Sequence, residues 1–290
     1  MKRKRLQILG ILIGLGLASG IKAQAGEEPE TQGPYTDLVK ASQLLTGKRL
    51  KEAESLLMTV VARIPKNSSA WFLLANCLSL EGKKEEALPY AEKAVKLDPQ
   101  HAESRVLLVE LLQPLAKQRK RCFDLARSTA KLCKGNPLLL GRLARVLLTI
   151  HQPSEAKPLI EEVLSLQPKN TDFLSLLAQV SLSLHKYKAA EKAYAKLIKL
   201  RPLDPWPAES RANLLVMLGR KKEAVESYKQ SLKIRPSNLH ARHRLLALLK
   251  EMGASQAEIH AQKLYLKYYK EVARVRKELE KKRKVAKPGK

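Results

Sequence analysis

The side chains that could do chemistry are few and scattered. His240 and His243 would share one face of a helix, as two zinc-binding imidazoles can, but no carboxylate or cysteine stands beside them in the local sequence to complete a ligand set. Cys77, Cys122 and Cys133 are the only thiols, and neither CxxC nor CxxCH occurs, so thioredoxin-like exchange and haem attachment both lack their motif. There is no GxSxG, HExxH, phosphate-binding loop or Gly-rich dinucleotide fingerprint. The expectation is a chain with no catalytic set, no metal site and no cofactor, whose function lies in binding.

The elements that position these residues are helical. The chain has 290 residues, 44% apolar and 29% charged, with aromatics at only 4%. That is enough apolar mass for a sizeable core, rich in Leu, Ala, Lys and Glu, and it shows little strand-like alternation. Two marks recur along it. Pro65 and Pro99 stand 34 residues apart, as do Pro168, Pro202 and Pro236, and the interval from Pro99 to Pro168 is 69. Twelve residues before each of these prolines is an alanine: Ala53, Ala87, Ala156, Ala190 and Ala224. A small residue at a fixed place lets helices approach closely, and a proline marks where a helix ends. Between the marks, Trp71, Leu74, Ala75 and Leu78 follow the spacing of one helix face. Gly47, Gly82 and Gly219 supply turns between paired helices.

With Trp71, Leu74, Ala75, Leu78, Ala87, Ala94 and Pro99 in one unit, the chain resembles the tetratricopeptide-repeat (TPR) family. Later units repeat the pattern as Leu174, Leu177, Ala178, Ala190, Tyr194, Pro202 and as Ala208, Ala212, Leu215, Ala224, Tyr228, Pro236. The resemblance implies an all-α fold, an α-solenoid of about seven stacked helix-turn-helix repeats over residues 35–251. The unit at 102–137 is the least regular, with Cys122 and Ala126 at the small and aromatic positions and Pro137 about three residues late. Pro89 and Pro158, at equivalent places early in the second helix of their units, should start or bend that helix without breaking it. The three cysteines read as small core residues, and a Cys77–Cys122 bridge would join neighbouring helix pairs.

In this family the first helix of each pair lines an inner surface. Carried over, that surface holds Phe72, Asn76, Glu110, Arg145, Gln179, Glu209, Asn213 and His243, a mixed polar and apolar channel suited to an extended or helical peptide. The Lys-then-Asn clamp of chaperone-tail binders is absent, because Phe72 stands four residues before Asn76.

Charge offers a second mode of binding. Lys plus Arg number 55 against 28 acids, net +27. Basic runs stand at Lys117, Arg119, Lys120 and Arg121 and at Lys281, Lys282, Arg283 and Lys284. Residues 252–290 read as a long basic capping helix and tail. Tyr265, Tyr268 and Tyr269 could stack bases, but they also fit a packing stripe, and nucleic acid is disfavoured by the export signal described below. An anionic membrane, acidic wall polymer or acidic protein suits the charge better. The stripe runs Ala261, Tyr265, Tyr268, Val272, Val275, Leu279 with gaps of four and three. It would pack back on the preceding unit as a cap, or serve self-association or partner docking. Three heptads without alternating charge make a weak coiled coil.

At the N-terminus, Lys2, Arg3, Lys4 and Arg5 precede an apolar run from Leu6 to Gly20 and the small residues around Ala23-Gln24-Ala25. This is the layout of a secretory signal peptide over residues 1–25, followed by a linker at 26–34. The run is shorter than the roughly 20 residues a membrane span needs, which favours cleavage over an uncleaved anchor. The expected protein is a non-enzymatic scaffold, periplasmic or secreted, that binds a protein or peptide through its groove in cell-envelope assembly. The alternative is an electrostatic binder of anionic envelope polymer or membrane.

Overall fold

The computed structural model describes residues 33–285, and side chains as far as Glu280. The expected signal peptide, and the linker as far as residue 32, lie outside the described residues. Those described form α-helices in seven antiparallel pairs and no strand. They divide into two compact units at Gln167/Pro168.

The first unit holds α1 (Pro34–Thr46), α2 (Leu50–Arg63), α3 (Ser68–Leu80), α4 (Lys84–Leu97), α5 (Ala102–Leu112), α6 (Arg119–Ala130), α7 (Pro137–Thr149) and α8 (Pro153–Leu166). Each helix packs on the next, and the first helices of successive pairs also touch: α1 on α3, α3 on α5 and α5 on α7. The second unit holds α9 (Thr171–Ser183), α10 (Tyr187–Leu200), α11 (Pro205–Met217), α12 (Lys221–Ile234), α13 (Leu239–Glu251) and α14 (Gln256–Val285).

The alanine register explains the pairing. Ala53, Ala87, Ala156, Ala190 and Ala224 are all wholly buried, so a larger side chain at any of them would force helices apart. The proline register explains the breaks. Ile64, Asp98, Gln167, Arg201 and Arg235 cap the second helices with φ between −126° and −136°, the extended backbone that a following proline demands. Two residues beyond each proline the next helix begins on a side-chain cap. Asn67, His101, Asn170, Asp204 and Asn238 each accept a backbone N–H of the first turn, and Asn136 does so before α7. The proline thus ends one helix and, through its neighbour at +2, sets the start of another.

The turn inside each pair has its own register. A left-handed residue recurs at Lys48 (φ 59°), Gly82 (86°), His151 (61°), His185 (56°), Gly219 (72°) and Gly253 (68°). These positions share the 34-residue spacing across all regular pairs. Gly47 was expected to supply the first turn, but its φ is an ordinary −77° and Lys48 takes the left-handed place. The third pair departs here, with a short 3₁₀ turn at Ala116–Gln118 between its helices.

Three further expectations are corrected. Pro137 does not close its own repeat late; it is the first residue of α7, where its missing N–H costs nothing. Pro89 and Pro158 are not helix starts, since their helices begin five residues earlier, but the helices run on past both prolines unbroken, as expected. The terminal helix buries Ile259 and Leu266 against the core around Leu245 and Leu249. The stripe named from sequence lies beside that face, and Tyr265, Tyr268, Val275 and Leu279 are 50%, 60%, 44% and 54% exposed.

Candidate functional site

In the first unit a recess of about 160 Å³ opens on the first helices of the pairs. Ser42, Leu45 and Thr46 of α1, Phe72, Leu73 and Asn76 of α3, Glu103 of α5, and Leu138, Leu139 and Arg142 of α7 surround it, with the capping Asn136. Phe72 is a buried floor. Its ring meets His101 edge-on at 5.3 Å, so it offers little free surface. His101 Nδ1 lies 3.3 Å from the Ser104 backbone N–H and 2.6 Å from its hydroxyl, and Nε2 lies 3.4 Å from Glu103. Asn76 is half-buried and borders the opening.

Arg142 governs the electrostatics. Its Nε donates to Glu110 Oε1 at 2.7 Å and its Nη2 to Oε2 at 2.5 Å, a two-pronged pair between α7 and α5. The hydrogen bond to Glu110 raises the Arg142 guanidinium above its ordinary value, against the effect of burial. Glu110, named from sequence as a groove residue, therefore spends its charge on Arg142. The recess is polar but nearly charge-balanced, with amide and hydroxyl groups set among Leu45, Leu73 and Leu138. Such a lining suits a peptide with an apolar anchor more than a free carboxylate or phosphate. Arg145 lies exposed one turn further along α7.

The second unit has a separate recess of about 340 Å³, lined by Asn213, Val216, Met217, Tyr228, Arg244, Ala247, Leu248 and Glu251. Asn213 Oδ1 accepts from the buried Tyr228 hydroxyl at 2.5 Å. Glu209 is committed elsewhere, accepting from Asn238 Nδ2 at 2.6 Å and lying 2.9 Å from His240 Nδ1. The carboxylate missing from the local sequence around His240 thus comes from the preceding pair. Among the described residues no group of three metal-binding side chains converges. Gln179 and His243 are exposed and border neither recess.

Arg142 and Arg244 were not named from sequence, yet a signal existed. They occupy one repeat position, 102 residues apart, where the other pairs carry Val39, Leu73, Leu107, Leu176 and Ser210. A charge in an otherwise uncharged register marks both recesses.

The basic run at the third turn is exposed at Lys117, Arg119 and Lys120, while Arg121 pairs with Glu92 at 2.7 Å. Lys281, Lys282, Arg283 and Lys284 continue the backbone of α14, and their side chains lie outside the described residues. A larger recess of about 550 Å³ lies between the turn at Gly82 and Leu115, lined by Lys83, by the first turn of α4 (Lys84, Glu85, Glu86) and Leu88, and by Leu111, Pro114 and Leu115. The cysteines are free and buried, so the Cys77–Cys122 bridge is not formed. Burial pushes the Cys77 and Cys133 thiols up to about 11, which keeps them protonated and unreactive. No described helix is long and apolar enough to cross a membrane.

Paired helices with a small-residue register and a recess on the first helices define an all-α helical-repeat fold. Residues 68–101, 147–214 and 210–238 each match a family model of the tetratricopeptide repeat. Over these segments the sequence carries tetratricopeptide repeats. Its fold is similar to that of YrrB, described as a TPR protein with an unusual peptide-binding site, at 18% identity and a TM-score of 0.57, over 65% of this chain and 96% of that one. It is also similar to MamA, at 18% identity and a TM-score of 0.52, over 59% of this chain and 92% of the other. MamA from residue 41 onward, from Desulfovibrio magneticus RS-1, aligns at 20% identity and 0.50, over 59% and 96%. No curated relative matches the chain.

Proposed function

We propose that the protein is a non-enzymatic scaffold that binds a segment of another protein in the recess between α1, α3, α5 and α7, and that it does so outside the cytoplasm in assembly of the cell envelope. The observation that carries the reading is the recess itself. Asn76 and the amide nitrogen of Asn136, whose Oδ1 is spent on the α7 cap, stand beside Leu45 and Leu138, and Arg142 is already neutralised by Glu110. A peptide backbone with one apolar side chain satisfies both kinds of group. Peptide binding is also what the fold neighbour YrrB is described as doing. Export rests on the order of the first 25 residues: Lys2 to Arg5, then Leu6 to Gly20, then Ala23-Gln24-Ala25.

The test is recovery of partners from an envelope fraction at rising salt, with wild-type protein and with Asn76→Ala/Arg142→Ala. Recognition with apolar anchors weakens only moderately between about 50 and 200 mM salt, whereas adhesion through surface charge collapses over that range. The proposal expects a partner that survives the salt and is lost in the double variant. A partner that vanishes with salt and ignores both substitutions would instead assign binding to the basic surface and to anionic polymer or lipid.

A further inference from the structure

The terminal helix presents an apolar face that its own unit does not cover. Its docked side is defined by Ile259 and Leu266, both buried, and by Gln262 and Tyr269. Gln262 accepts from Arg242 Nη1 at 2.8 Å, and the Tyr265 and Tyr269 rings flank the same guanidinium at 4.5 and 5.5 Å. Immediately beside this side run Tyr265, Tyr268, Val272, Val275 and Leu279. All but Val272 are at least 44% exposed.

The spacing of four and three is that of heptad seam positions, with Tyr265, Val272 and Leu279 at a and Tyr268 and Val275 at d. The charges are sorted around that seam. Lys263, Lys267, Lys270, Arg274 and Lys277 all fall at c or f, on the far side of the helix, and in sequence Lys281 and Lys284 keep the same register. The positions flanking the seam carry opposite signs: Glu271 and Glu278 at g, Arg276 and Arg283 at e. In a parallel pair of helices, g of one chain meets e of the other five residues on. That sets Glu271 against the second copy's Arg276, and the same register repeats in sequence at Glu278 and Arg283. Along a single helix Arg274 reaches both acids, 2.6 Å from Glu271 and 3.8 Å from Glu278, and these exposed contacts leave the acids open to a further partner across a parallel pair. An antiparallel pair would set Glu against Glu and Arg against Arg.

We infer that residues 264–281 of α14 form a parallel, in-register two-stranded coiled coil with a second copy of this chain, so that the protein is a dimer joined at its C-terminal helices. A membrane-surface helix needs a broader apolar face with cations along its margins. Here the stripe is the narrow a/d seam, and one margin carries Glu271 and Glu278. Lys282 falls at d and ends the seam.

The experiment is sedimentation equilibrium of the purified full chain over a concentration series, with far-UV dichroism to confirm that each variant is folded. The wild type should show twice the chain mass. Val275→Glu alters an exposed residue, so the fold should persist while the mass halves or the dissociation constant rises at least about tenfold. Glu271→Arg/Glu278→Arg should dissociate the dimer, and adding Arg276→Glu/Arg283→Glu should restore it. Leu279→Cys at a seam position should form an interchain disulfide on mild oxidation, as only the parallel register permits. Monomeric wild-type protein at every concentration would overturn the inference, as would a dimer indifferent to Val275→Glu. A monomer that sediments with phosphatidylglycerol vesicles in a Val275-dependent manner would also overturn it, and would assign the stripe to a lipid surface.

Discussion

Replacing Gly219 by alanine isolates the cost of the left-handed turn. Gly219 has φ 72°, and a Cβ added there meets no atom within 4 Å, so no clash contributes. An L-residue in this conformation costs about 1–2 kcal/mol. Alanine recovers about 0.4–1 kcal/mol of that through the smaller entropy of its unfolded chain. The net loss is about 1 kcal/mol, a fall of about 0.5 M in the urea midpoint for an m-value near 2 kcal/mol/M. His185 stands at the same repeat position with φ 56°, so His185→Gly should act in the opposite direction. The gain should be about 0.5 kcal/mol, reduced by loss of the exposed contact to the Tyr187 hydroxyl at 2.9 Å. Gly47→Ala is the control. Its φ is −77° and the added Cβ finds only ordinary contacts at 3.4 and 3.6 Å, so it should be neutral or slightly stabilising. The assay is urea unfolding followed by far-UV dichroism. The reasoning is refuted if Gly219→Ala leaves the midpoint unchanged or if Gly47→Ala is the more damaging of the two.

Other outcomes follow from the same structure. Asn170→Ala removes the acceptor for the backbone N–H groups of Asp172 and Phe173 and should lower stability by about 1 kcal/mol in urea unfolding. Glu110→Gln removes the charged partner of a half-buried Arg142 and should cost about 1 kcal/mol, with Arg142→Met/Glu110→Leu losing less than either single change in a double-mutant cycle. Acid should weaken the second unit through Glu191. Burial alone would raise this carboxyl, but hydrogen bonds from Arg220 and Arg211 outweigh it and hold Glu191 below its ordinary 4.5. A depressed carboxyl contributes stability that is complete above the unfolded value and is lost as pH falls through the folded one. Glu191→Gln should therefore flatten the stability profile below about pH 4.5 in pH-jump unfolding.

The helical pairing was legible because its determinants are local and repeated. Ala53 through Ala224 and Pro65 through Pro236 are single-residue requirements of close packing and of helix termination, and neither depends on distant contacts. The cap at two residues beyond each proline was equally local but went unread, because Asn, His and Asp do not look like one motif until their common geometry is seen. Lys48, His151 and His185 hid the turn register for the same reason. They are residues that tolerate φ near 60° under the constraint of the packed pair, where glycine would be the sequence signal. The candidate site was half legible. Phe72 and Asn76 follow from the repeat position, whereas Glu110 and Glu209 are committed to Arg142 and to Asn238 and His240. Those partners lie 29 to 32 residues away, a long-range pairing that no window of sequence displays. The terminal stripe was read at the right spacing but on the neighbouring side of the helix, since Arg242 and its tyrosines, rather than hydropathy alone, fix how α14 is turned.

The most direct test of peptide recognition in the first unit is site-specific photocrosslinking in intact cells. A benzophenone side chain would replace Asn76 at the recess, Lys96 at an exposed site on α4, and Val275 on the terminal helix. The account predicts a discrete adduct with another protein from position 76, abolished by Arg142→Ala, none from position 96, and an adduct with a second copy of the chain from position 275. Silence at position 76 beside a strong foreign-protein adduct at position 96 or 275 would contradict it.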